Sequence, residues 1–208
     1  MNVLVDAPRE PRAAYVFAHG AGAPMTHAFM AKVAEGLAQR GIAVVRYNFP
    51  YMEAGSKRPD VPRVAHASVR EAVAQAAHRF PGVPLFAGGK SFGGRMTSQA
   101  QAVDPLPAVK GLVFVGFPLH PAGKPSDERA KHLDDVRVPM LFLQGTRDEL
   151  ADLALLRPVV ERLGGRARLV TFDHADHSFH APAKSGAKDA EILERLLDAV
   201  ADFCRGSV

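Results

Sequence analysis

The chain has 208 residues, 47% of them apolar and 23% charged, a balance that fits one globular domain and excludes disordered, collagenous and coiled-coil classes. Its formal charge of +4 comes from Lys and Arg scattered along the chain, and Trp is absent, so the basic, aromatic-interleaved stripe of a nucleic-acid binder is missing. A single cysteine, Cys204, allows neither an intrachain disulfide nor a Cys-rich metal site.

Residues Met1 to Arg12 lack the apolar stretch of a secretory signal, and no apolar run approaches the roughly 18 residues of a membrane span. A soluble cytoplasmic protein is expected, with no bound metal or cofactor and neither nucleic acid nor membrane as a partner. In chain order, the first β-rich run is Ala13 to Ala18. After a glycine-bearing loop, Phe29, Met30, Val33 and Leu37 recur at helical spacing, with Thr26 placed to cap that helix and Gly41 to stop it. Ile42 to Tyr47 reads as a strand, and Phe49 to Val64 as a long loop. Ser68 and Glu71 have the spacing of a capping box opening a helix through Val69, Val73, Ala76 and Phe80.

Val83 to Ala87 is predicted as a short strand feeding a glycine-rich turn, then a helix through Met96 and Ala100. Strands follow at Val109 to Val115 and Met140 to Gln144, separated by a polar loop from Pro118 to Lys131. Leu153, Leu156, Val160 and Leu163 mark a helix, Ala167 to Phe172 a last strand, and Ile192, Leu196, Val200 and Phe203 a closing helix. Strands alternating with helices predict an α/β fold with a mostly parallel sheet, as one domain over residues 1–208.

The turn Gly89-Lys90-Ser91-Phe92-Gly93 matches G-x-S-x-G between a predicted strand and helix, the context in which that motif holds a nucleophilic serine. A phosphate-binding P-loop would need a glycine where Pro84 stands. Upstream, Ala18-His19-Gly20-Ala21-Gly22 follows the first strand. As a dinucleotide fingerprint it fails at Met25, but it suits an oxyanion loop. Acyl transfer commonly uses two backbone N–H groups to hold the developing oxyanion. Those of Phe92 and Ala21 are the candidates, with Gly22 adjoining and His19 positioning the loop.

A serine needs a base, and the base an orienting carboxylate, in the chain order Ser, Asp/Glu, His for this architecture. Asp148, on the loop after Met140 to Gln144, is the favoured acid over Glu149, Asp152 and Asp176. The loop after Phe172 offers His174, His177 and His180. His177 is favoured for its His-Ser-Phe setting; His174 is expected to pack at the strand end and His180 to be solvated or to shape the pocket.

Together the segments Ala18–Gly22, Phe49-Pro50-Tyr51-Met52, Gly89–Arg95, Gln144–Asp148 and Asp176-His177-Ser178-Phe179 resemble the small, lidless α/β-hydrolases of the dienelactone-hydrolase-like branch. The resemblance spans nearly the whole chain. It implies a three-layer α/β-hydrolase fold without a large lid domain, and the triad Ser91–Asp148–His177. The chain carries serine where dienelactone hydrolase has cysteine, so that enzyme's substrate does not carry over.

The expected activity is that of a serine esterase or thioesterase on small acyl substrates, working through an acyl-enzyme. The alternatives are a binding or scaffold module, or a lyase or transferase, on the same fold. Substrate contacts are expected from Gly22, Lys90 and two loops, Tyr51 to Arg63 and Leu119 to Lys131. Their basic residues Lys57, Arg58, Arg63, Lys124, Arg129 and Lys131 leave open an anionic substrate.

Overall fold

A computed structural model describes residues 1–206. Seven strands form one sheet in the order β1-β3-β2-β4-β5-β6-β7. They are β1 (Val3–Asp6), β2 (Ala13–Ala18), β3 (Ile42–Tyr47), β4 (Leu85–Lys90), β5 (Val109–Val115), β6 (Met140–Gly145) and β7 (Ala167–Phe172). All neighbours pair in parallel except β1, which runs antiparallel along β3 with Val3 opposite Tyr47. β1 is not among the elements expected from the sequence. Its four residues are only half-buried and bond a single partner at the sheet edge, which leaves little apolar signal.

The central strands are buried on both faces and therefore read as continuous apolar runs, as parallel strands between helical layers do. Six α-helices cover the sheet: α1 (Ala28–Gln39), α2 (Pro50–Glu53), α3 (Pro62–Arg79), α4 (Phe92–Val103), α5 (Leu153–Leu163) and α6 (Asp189–Gly206). One core layer joins the sheet to α3, α4 and α5 through Val69, Met96 and Leu156. The other joins it to α1 and α6 through Met30, Leu37 and Leu196. The result is the three-layer α/β arrangement expected from the strand–helix alternation.

Three local expectations are corrected. The N-cap of α1 is His27, whose imidazole accepts from the Phe29 N–H, and not Thr26. Ser68 and Glu71 do not open α3. That helix starts at Pro62, where a proline suits the first turn because its missing N–H had no partner there anyway. Ser68 lies in its interior and bonds back to the Val64 carbonyl. The region read as one long loop also contains the short α2, and the Pro118–Lys131 loop runs into a 3-10 segment, Glu128–Asp135.

The strand order reverses at β2. From there the chain moves outward to β3, then crosses back to β4 on the other side. The crevice beyond the C-terminal ends of β2 and β4 is thus the switch point at which open parallel sheets bind ligands. Beneath the β5 and β6 ends, Phe142 packs against Phe114 and Phe117 at centroid distances of 4.8 and 5.7 Å. Phe142→Ala is expected to lower stability by about 3–5 kcal/mol, the usual range for emptying a buried aromatic site. Urea unfolding of the two proteins checks this, and a loss below about 1 kcal/mol contradicts the assigned core.

Candidate active site

Strand β4 ends at Lys90 and α4 begins at Phe92, so Ser91 makes the whole turn between them. It does so at φ 49° and ψ −115°, backbone that a side-chain-bearing residue rarely adopts and that costs about 1–3 kcal/mol. The flanking glycines follow from the same geometry. A Cβ at Gly89 would lie 2.5 Å from the Ala18 carbonyl oxygen, and one at Gly93 would lie 2.6 Å from those of Ala18 and His19. Both neighbours are backbone and cannot yield.

The loop after β7 brings His177 to this serine. Its Nε2 lies 2.8 Å from Ser91 Oγ, and its Nδ1 lies 2.7 Å from Asp148 Oδ2. The Asp148 side chain is fully buried, and both of its oxygens accept hydrogen bonds. The Leu150 N–H donates to Oδ1 at 2.8 Å, and Gln144 Nε2 donates to Oδ2 at 2.5 Å. Gln144 is held in turn by the Phe117 N–H at 2.9 Å. A buried acceptor-only carboxylate fixes the proton of His177 on Nδ1, which leaves Nε2 as the acceptor facing the serine hydroxyl.

The other candidate acids and bases have different partners. Asp152 caps α5 by accepting the Ala154 N–H, and Glu149 is exposed. Asp176 accepts the N–H groups of Ser178 and His180 and so shapes the turn that presents His177. His174 does not pack at the strand end as expected. It is exposed at φ 61°, and only its N–H is engaged, with Thr146 Oγ1. His180 is exposed and pairs with Asp189 at 2.7 Å, which raises its pKa.

His19 is fully buried beneath the loop that follows β2. Its Nδ1 donates to the Gly20 carbonyl at 2.7 Å, and its Nε2 accepts the Phe49 N–H at 3.1 Å. This pattern requires a neutral ring, and burial lowers its pKa accordingly. Tyr51 packs against Phe49 and Phe92, and its hydroxyl accepts the Gly22 N–H at 3.4 Å. The loop carrying Ala21 is therefore braced from the α2 side. Phe92, as the first residue of α4, has an N–H without an intrahelical acceptor.

A cavity of about 310 Å³ opens beside Ser91. Its walls include Ala21, Ala23, Phe29 and Met30 as well as Lys90 and His177. This corrects the expected substrate contacts. Tyr51 and Gly22 brace the loop that follows β2 but do not line the cavity, and neither do the loops 51–63 and 119–131. Lys57, Arg58, Arg63, Lys124 and Lys131 are exposed, and Lys131 pairs with Glu128. In the sequence Met30 and Phe29 show only as helix-face residues; their place at the first turn of α1, directly after the glycine-bearing loop, is the available signal. A more open depression of about 450 Å³ lies on the other side of His177, against Arg147 and Pro182, and Ser91 does not reach it.

Among the described residues, no group of three or more His, Cys, Asp or Glu side chains could hold a metal ion, and no helix is long and apolar enough to cross a membrane. Cys204 is buried in α6, and burial pushes its thiol up to about 12.

The family model for the α/β-hydrolase domain matches residues 11–205, and the chain belongs to that family. Solved structures with the same fold include dienelactone hydrolase from Anabaena variabilis, 21% identical over 99% of this chain and 91% of that one, with a TM-score of 0.78. An α/β serine hydrolase without a lid from Xanthomonas campestris is 23% identical over 97% of this chain and 88% of its own, at 0.73. An α/β serine hydrolase homologue from Coxiella burnetii is 20% identical over 94% and 90%, also at 0.73. The chain is thus an α/β-hydrolase, and its fold is similar to that of the dienelactone hydrolase structure.

The close backbone approach at the elbow can be tested directly. Gly93→Ala is expected to lower the melting temperature by several degrees, since about 1–3 kcal/mol of strain shifts a domain of this size by that amount. It should also slow reaction of Ser91 with a fluorophosphonate probe. Unchanged melting and labelling would mean that α4 does not need this contact.

Proposed function

We propose that the protein is a serine esterase acting on small acyl esters, with Ser91 as nucleophile, His177 as base and Asp148 as the carboxylate that orients it. The observation that carries this reading is the unbroken hydrogen-bonded line from Ser91 Oγ through His177 to Asp148, at the wall of a cavity.

In the first half-reaction Ser91 Oγ attacks the ester carbonyl as its proton passes to His177 Nε2. Asp148 stabilises the resulting imidazolium without taking its proton. The oxyanion is held by the backbone N–H groups of Phe92 and Ala21; losing one such donor commonly costs on the order of 100–1000-fold in rate. Collapse of the tetrahedral intermediate expels the alcohol, protonated by His177, and leaves the acyl group on Ser91. A water deprotonated by His177 then releases the acid.

A cavity of about 310 Å³ lies at the small end of ligand sites and favours short acyl groups. Its apolar walls favour an uncharged acyl chain. Esters are the first substrates to try because the cavity beside Ser91 is small, and thioesters are the next. The relatives whose descriptions name esterase and monoacylglycerol lipase activity are consistent with ester chemistry.

A fluorophosphonate probe is expected to label the protein at Ser91, as located by mass spectrometry. Labelling should vanish in Ser91→Ala and slow by about 1000-fold or more in His177→Ala, while Asp148→Asn should reduce ester turnover by about 10⁴-fold by favouring the wrong tautomer. A well-folded protein that takes up no probe, or takes it up elsewhere, would overturn the reading.

A further inference from the structure

Lys90 immediately precedes Ser91, yet its side chain is not a solvated surface charge. Strand alternation puts it on the same face as Phe86, towards the layer of α1 and α6. Its stem passes the oxyanion loop, where a methyl on Gly20 would lie 3.4 Å from Lys90 Cγ. Its Nζ donates to the His177 carbonyl oxygen at 2.7 Å and stands 5.8 Å from the centre of the Phe179 ring. A methyl on Gly116 would lie 3.1 Å from Lys90 Nζ and 3.4 Å from both Cε1 and Nδ1 of His177. The ammonium and the imidazole therefore stand side by side over one glycine, which at φ +70° leaves them room.

Building on the esterase reading, we propose that Lys90 is a positioning residue for the base. Its ammonium ties the His177 loop to the nucleophile turn, and its positive charge disfavours a second proton on the imidazole before substrate arrives. The charged and titratable groups around the pair come from several elements. Asp148 faces the far side of the ring from the loop after β6, and Asp176 lies in the His177 loop. His27 reaches the cavity from the start of α1, and neutral His19 lies under the oxyanion loop. Asp148 attracts a proton to His177, Lys90 opposes it from the cavity side, and Arg147 and Glu149 border the open depression on the other side of the ring with opposite charges.

Burial lowers the Lys90 pKa to about 8, with Asp148 and Asp176 opposing that shift. The sign for stability follows. Between about pH 8 and the ordinary lysine range, the unfolded chain holds a proton that the folded one has lost, so stability rises with pH in that window. Below pH 8 the half-buried ammonium weighs against folding, so packing alone does not account for it. Lys90→Met, which keeps the stem, is therefore expected to fold at pH 7.

NMR titration of the His177 ring tests the proposal in wild type, Lys90→Met and Lys90→Arg, with His177→Ala assigning the signals. The midpoint should rise by about one unit in Lys90→Met and return towards wild type in Lys90→Arg, the direction set by removing and restoring a nearby cation. Fluorophosphonate labelling of Lys90→Met should fall about tenfold at pH 6 and less at pH 8.5. An unchanged His177 midpoint in Lys90→Met overturns the proposal, as does a uniform loss of labelling at all pH values. If Lys90→Met does not fold, Lys90→Gln removes the charge and gives the same reading. A wild-type protein that never labels would defeat the esterase reading alone, since the titration still decides what Lys90 does.

Discussion

Ser91 can face the loop that follows β2 because α4 starts almost in contact with the carbonyls at the end of that strand. Ala18 and His19 present their oxygens where Gly89 and Gly93 have no Cβ, so the turn and the loop sit at backbone distance from one another. Parallel pairing of β2 with β4, in register from Ala14 opposite Leu85 to Ala18 opposite Gly89, delivers both segments to the same edge of the sheet. The remaining features of the site depend on that approach. A side chain at either glycine would push the helix away and with it the amide of Phe92. The strain at Ser91 persists because the strand before it and the helix after it are both buried and leave it no other course.

The acid side rests on a different constraint, a carboxylate kept out of water. Asp148 is buried but accepts from Gln144, Leu150 and His177, so donors meet its charge at both oxygens. Gln144 links this group to β5 through the Phe117 amide. Two strand ends thereby fix the carboxylate, and the carboxylate fixes the ring. The opposite end of the ring is set by the loop, whose own turn is closed by Asp176 and whose carbonyl meets Lys90. His177 is thus held at its ring and at its backbone by different partners.

Much of this architecture was legible in the sequence because the informative residues are those that the backbone dictates. G-x-S-x-G marks a turn that only small neighbours permit, and a central parallel strand shows itself as an unbroken apolar run. Strands β2 and β3 accordingly match their predicted bounds, and the site segments fall at successive strand ends. The failures have physical causes as well. β1 leaves little hydrophobic trace because it is a half-buried edge strand. The Ser68–Glu71 pair had the spacing of a cap but lay inside a helix already begun by Pro62, where proline starts a helix as well as a capping side chain does. Gln144 was read only as the end of a strand, since nothing in its spacing shows that its amide would turn to a carboxylate four residues on.

The least legible feature was the cavity, and its composition bears on what a hydrolase of this size can select. Charged loops suggested a binding surface around residues 51–63 and 119–131, yet the walls beside Ser91 come from the first turn of α1 and from the two loops that also carry Ala21 and His177. In a fold without a lid, the segments that present the chemistry must also enclose the substrate. Ala21 is one example: it borders the cavity beside Ser91 and also lies in the loop that follows β2. A larger side chain there would press on that loop, whereas Phe29 and Met30 stand on a helix whose position is set independently by packing against α6. Under the esterase reading proposed above, changes in acyl length are accordingly best sought at Phe29 and Met30, which border the same cavity.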